Sequence, residues 1–108
     1  MTTGALKELG FVQVTGAEER EITGGFCGDL LSWAMGRAQE GQVWFTVMGN
    51  LNTIAVASLA DVAAVVLCHD AALAEDARQR AQQEGILLFT TSLSEFEAAA
   101  AFAAVFGA

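Results

Sequence analysis

Two stretches of this 108-residue chain carry residue types that could do chemistry. The first is Thr23-Gly24-Gly25-Phe26-Cys27-Gly28-Asp29. Three glycines ahead of a helix would let a ligand approach the backbone closely, and the amides at a helix N-terminus attract anions. Asp29, however, would place a carboxylate at that same N-terminus. Neither GxxxxGK[ST] nor GxGxxG is present. The plainer alternative is a tight turn feeding a helix capped by Asp29. The second stretch is Trp44-Phe45-Thr46-Val47-Met48-Gly49-Asn50-Leu51-Asn52. Here Thr46, Asn50 and Asn52 would gather at the C-terminal end of a strand, where uncharged polar groups suit ligand hydrogen bonding. Turn formation and helix capping by the two asparagines is again the plainer alternative. Together Gly24, Gly25, Gly28, Asp29, Thr46, Asn50 and Asn52 form the candidate ligand-binding set. Its ligand would be a small anion or an adenine nucleotide.

Catalytic and metal chemistry find less support. Cys27 and Cys68 lie 41 positions apart with no CxxC, so free thiols are expected and not a disulfide. Cys68 and His69 are neighbours on a strand and point to opposite faces. Cys27 could approach His69 across the fold, but no group is evident to orient the imidazole. With one histidine, a zinc site would need carboxylates as well. Two separated cysteines cannot hold an iron–sulfur cluster within one chain, although four thiols across a dimer could. Glu95 and Glu97 sit two apart on a helix and face different directions, so they are no acid/base pair. Glu75, Asp76 and Glu84 read as a solvated face. The expectation is a non-enzyme with neither metal nor cofactor.

The elements that must position these residues follow from pattern. Phe11–Val14 alternates and predicts a short strand, followed by a polar, glycine-bearing loop over 15–25. A helix over about 30–39 is expected, with Asp29 as its cap and Gly41 closing it. Its core stripe would be Leu31, Ala34, Met35 and Ala38. Val43–Val47, Ala63–Cys68 and Ile86–Phe89 are continuous apolar runs, as in strands buried on both faces. Periodicity leaves 53–60 open between helix and strand; the crossover that parallel pairing needs favours a helix. Residues 71–84 predict a helix ended by Gly85. Ser92 or Ser94 would cap a last helix running to about Val105, with Glu95 and Glu97 in its first turn. The fold class is therefore α/β, with a parallel or mostly parallel sheet of about four or five strands and helices on both faces. The whole chain, 1–108, reads as one domain, and the strand order stays open.

Composition narrows the partners. Thirteen acids against five bases give a net charge of −8, which opposes a phosphate backbone or an anionic membrane surface. Hydrophobic residues make up 54% and charged residues 17%, which excludes intrinsic disorder. The N-terminus lacks the charged start and apolar core of a signal peptide, so a cytoplasmic protein is expected. So few charges cannot cover the surface of a small domain, which points to a partner, most simply a second copy. Trp33 lies opposite the core stripe of its helix. With Arg37, and with Phe102 on the last helix, it makes up the candidate interface.

The blocks Thr23–Met35, Val43–Val47 and Asn52–Ala57 resemble the DRTGG domain family. The shared pattern is glycine-glycine, then Gly28-Asp29-Leu30-Leu31-Ser32-Trp33 with Met35, then aromatic-x-Thr, then Asn-x-x-Ala-Val-Ala. The signature itself departs, reading Glu21-Ile22-Thr23-Gly24-Gly25, so Ile22 replaces its arginine. The resemblance implies an α/β fold similar to the N-terminal domain of HPr kinase/phosphorylase, without its kinase domain. It also implies a regulatory or dimer-forming role, as in members that accompany paired CBS domains in pyrophosphatases. Short free-standing members, found beside iron-only hydrogenase components, imply an alternative role as an accessory protein of a redox complex.

Overall fold

A computed structural model describes residues 1–107. After a 3-10 helix over Thr3–Leu9, the chain forms β1 (Val12–Gln13), β2 (Gly24–Cys27), α1 (Leu31–Arg37), β3 (Gln42–Thr46) and α2 (Leu51–Ala60). It continues through β4 (Ala64–Leu67), α3 (Glu75–Glu84), β5 (Leu88–Thr90) and α4 (Glu95–Phe106). The five strands form one sheet in the order β1-β5-β4-β3-β2. β2, β3, β4 and β5 run parallel, and β1 joins antiparallel at the far edge. The sheet is thus mixed and mostly parallel, with helices on both faces.

The layering follows from handedness. Strands β2 to β5 are laid down side by side in one direction. Right-handed crossovers then bring every connecting helix to the same face. Accordingly Ala34 of α1, Ile54, Val56 and Ala57 of α2, and Ala77 and Ala81 of α3 share one core with Trp44, Val65, Leu67 and Leu88. The opposite face would stay bare without the chain ends. There Ala98 and Phe102 of α4 and Leu6 of the 3-10 helix pack on Val43, Phe45, Val66 and Phe89. Successive residues of β3 therefore serve two cores, and each buried Phe or Trp contributes about 2–3 kcal/mol.

Several expectations are corrected. The stretch 15–25 is not all loop, because Gly24–Cys27 is an edge strand paired in register with Gln42–Phe45. Glycine is poor in strands, but a Cβ on Gly25 would stand 3.1 Å from the Phe102 ring, so close helix packing requires the bare backbone. Helix α1 is shorter than expected, and Leu30 stands at its N-cap position with no side-chain cap, so Asp29 does not cap it. Met35 is exposed rather than part of the core stripe. Gly41 does not close α1, whose C-cap is Ala38; with φ +80° it leads into β3 instead. Residues 53–60 are helical within α2. Residues 71–74 stay outside α3, which Gly85 ends in the left-handed conformation. Ser94 and Glu97 form a full capping box on α4.

Candidate functional site

Four loops leave the C-terminal ends of β2, β3, β4 and β5. Three turn to the α1–α3 face and the fourth turns to α4 on the other face. The crevice along this edge is where ligands bind in open α/β sheets. At its centre lies Asp29. Its Oδ1 accepts hydrogen bonds from the Thr46 hydroxyl at 2.7 Å and the Val47 amide at 2.8 Å. Thr46 is fully buried, and its Oγ1 also accepts from the Met48 amide at 3.3 Å. Trp44 Nε1 donates to the Gly28 carbonyl at 3.0 Å and so pins the same loop to β3. Asp29 therefore takes up two of the donors at this edge, the Thr46 hydroxyl and the Val47 amide.

The other groups at this edge reinforce its acidity. Glu95 begins α4 and faces Asp29. Burial first, then the hydrogen bond and charge of Asp29, push its carboxyl above the usual carboxylate range, while His69 pulls it back. Glu97, held by the Ser94 amide and hydroxyl, is lowered. His69 and Asp70 both adopt left-handed backbone, at φ 60° and 52°. Their amides donate to the carbonyls of Leu93 and Thr91, which ties the β4–α3 loop to the β5–α4 loop. Burial, then Glu95 and Asp29, raise the Cys27 thiol. The completely buried Cys68 thiol is pushed up to about 12, by burial first and then by Glu95, Cys27 and Asp29. Both thiols are thus held protonated, the reverse of an activated nucleophile. Two strand spacings separate Cys27 from the Cys68 end of β4, so an intrachain disulfide cannot form. Cys68 is also out of reach of a second copy. Among the described residues no group of three or more His, Cys, Asp or Glu side chains is arranged to hold a metal ion.

The candidate ligand set is thus divided. Gly28, Asp29 and Thr46 come together at the edge. Asn50 caps α2 by accepting from the Thr53 amide at 3.0 Å, the plainer of its two roles. Asn52 is exposed in the first turn of α2. Gly24 and Gly25 lie within β2, not in a loop before a helix. Of the interface candidates, Trp33 is 55% exposed, and the Arg37 guanidinium lies 4.0 Å from the centre of its ring. Phe102 is not a surface residue. It is 3% exposed and packs against Phe45 and Phe106 at ring-centre distances of 5.7 and 5.2 Å. It forms part of an apolar cleft of about 370 Å³ between β2 and α4, which also involves Gly25, Cys27, Ala103 and Phe106. Sequence reasoning missed this cleft and the facing of Glu95 and Asp29. Both join segments roughly seventy residues apart, which no local pattern records.

The architecture is shared with a solved structure: the CBS and DRTGG domains of the regulatory region of Clostridium perfringens pyrophosphatase, complexed with its activator, diadenosine tetraphosphate. The TM-score is 0.71 at 14% sequence identity. The fold is DRTGG-like. The likeness covers 86% of this chain, while the chain spans 41% of that neighbour's length. No family model matches the sequence, and no curated protein matches it. Among the described residues, no helix of this DRTGG-like fold is long and apolar enough to cross a membrane.

Proposed function

We propose that this chain is a non-catalytic regulatory or interaction domain, related to the DRTGG family, that acts as a homodimer. The observation that carries the reading is the fold it shares with the regulatory region of a pyrophosphatase. The chemistry at the C-terminal edge agrees with it. Asp29 and Thr46 satisfy each other, and the two thiols are held neutral by burial and neighbouring carboxylates. A dimer would also cover surface that the monomer leaves open, namely the β2 edge. Sedimentation over a dilution series tests it: a dimer at micromolar concentration supports the reading, and a persistent monomer removes it.

A second reading, adenine-nucleotide sensing, is favoured by the activator bound to the structural neighbour. The acidic edge formed by Asp29, Asp70, Glu95 and Glu97 repels bare phosphate. A nucleotide panel is therefore run in thermal-shift measurements with and without magnesium. A native-state ligand raises the melting point. A flat response across the panel removes this reading.

A further inference from the structure

We infer that two copies join edge to edge along β2, so that two five-stranded sheets become one and each α4 cleft closes over the seam. This rests on the homodimer reading and names the surface that would carry it.

β2 has a neighbour on one side only. The Gly28 amide donates to the Phe45 carbonyl at 3.2 Å. Alternation along a parallel ladder then directs the amides and carbonyls of Gly25 and Cys27 to the open edge. Exposed edges are ordinarily blunted by charge, proline, a bulge or brevity. The opposite edge is blunted in this way, since β1 has two residues. β2 has four, with neither charge nor proline.

Copies that each carry −8 repel wherever their carboxylates meet. The C-terminal edge presents Asp29, Asp70, Glu95 and Glu97, and α3 presents Glu75, Asp76 and Glu84. Ile22–Gly28 and Ala98–Gly107 hold no acid or base of the Asp, Glu, Lys or Arg kind. These two segments are neighbours, with Phe102 packed over Gly25. They bound the cleft between β2 and α4. This is a continuous surface over which two acidic copies meet without opposing carboxylates, and unlike Leu30–Gln39 and Gln42–Ala60, which also hold no acid, it contains the open strand edge; interface cores are depleted in charge for the same reason. Antiparallel pairing of β2 with itself is also self-complementary. A two-fold axis at Phe26 sets Gly25 of each copy opposite Cys27 of the other, as an isologous contact requires.

The test compares the full chain with Ala103→Glu and Trp33→Asp by sedimentation. Ala103 is exposed on α4 and lines the cleft, so glutamate there puts a charge into the seam without disturbing the core. The dimer dissociation constant is expected to rise by at least about tenfold for Ala103→Glu and to stay unchanged for Trp33→Asp. A short bis-maleimide supplies a second readout independent of any substitution that could perturb folding. Cys68 is buried, so only the exposed Cys27 reacts, and a covalent dimer is expected that Cys27→Ser abolishes. A wild-type dimer that survives Ala103→Glu, or gives no cross-link, overturns the seam and leaves the homodimer reading standing. A wild-type monomer at every concentration overturns both.

Discussion

The Asp29 carboxylate accepts from a buried hydroxyl and from the first amide beyond β3, and so fastens the β2–α1 loop to the β3–α2 loop. Removing it in Asp29→Ala strands the buried Thr46 hydroxyl, at a cost of about 1–3 kcal/mol. Urea denaturation should show that loss, and Asp29→Asn should recover part of it, because the amide oxygen can still accept. Glu95 has the opposite character. Its folded pKa is raised, so its contribution to stability is favourable below the ordinary carboxylate pKa and is lost as pH rises through the folded value. Glu97 is lowered, so its contribution is present above the ordinary value and is lost as pH falls. Glu95→Gln should therefore raise the urea midpoint at pH 7, with the gain shrinking towards pH 4. A gain that grows on acidification would contradict the placing of Glu95 against Asp29. The sequence marks Asp29 as notable for its glycine context, but Thr46 lies 17 residues away. A local capping role was the natural expectation, and a tertiary hydrogen bond displaced it.

Among the elements, the three central strands were legible because Val43–Val47, Ala63–Cys68 and Ile86–Phe89 are apolar without alternation, as burial on both faces demands. Helix α4 was legible from Ser94 and Glu97, whose reciprocal bonds satisfy two orphan amides. Ser94→Ala should cost about 1 kcal/mol, read as a lower melting temperature. β2 was not legible, because two glycines suppress any strand signal, and the packing of Phe102 accounts for Gly25 alone. The β3–α2 turn makes a sharper case. A Cβ on Gly49 would stand 2.1 Å from the Ala72 carbonyl oxygen, and that backbone cannot step aside. Gly49→Ala should therefore destabilise by more than Gly24→Ala, whose added Cβ meets nothing nearer than 3.8 Å. Equal melting temperatures for the two variants would contradict the close approach of the β3–α2 and β4–α3 loops.

For the whole molecule, the −8 charge and the sparse charged surface predicted what the protein avoids before they said what it joins. The fold sharpens this by sorting the apolar residues. Most fill two cores on either side of one sheet, and the exposed large ones lie around α1 (Leu30, Trp33, Met35), on α4 (Phe96, Val105), on α2 (Leu59) and on β1 (Val12). The strand order, which places β2 at an edge, could not be read from the sequence, because pairing depends on contacts that local pattern does not encode. The neutral, unguarded β2 edge is the surface on which the proposed homodimer rests. Sedimentation equilibrium of the unmodified chain, diluted through the micromolar range, tests this most directly. A species of twice the 11.3 kDa chain mass that dissociates only on dilution is expected; a chain of single mass at every concentration would contradict the homodimer.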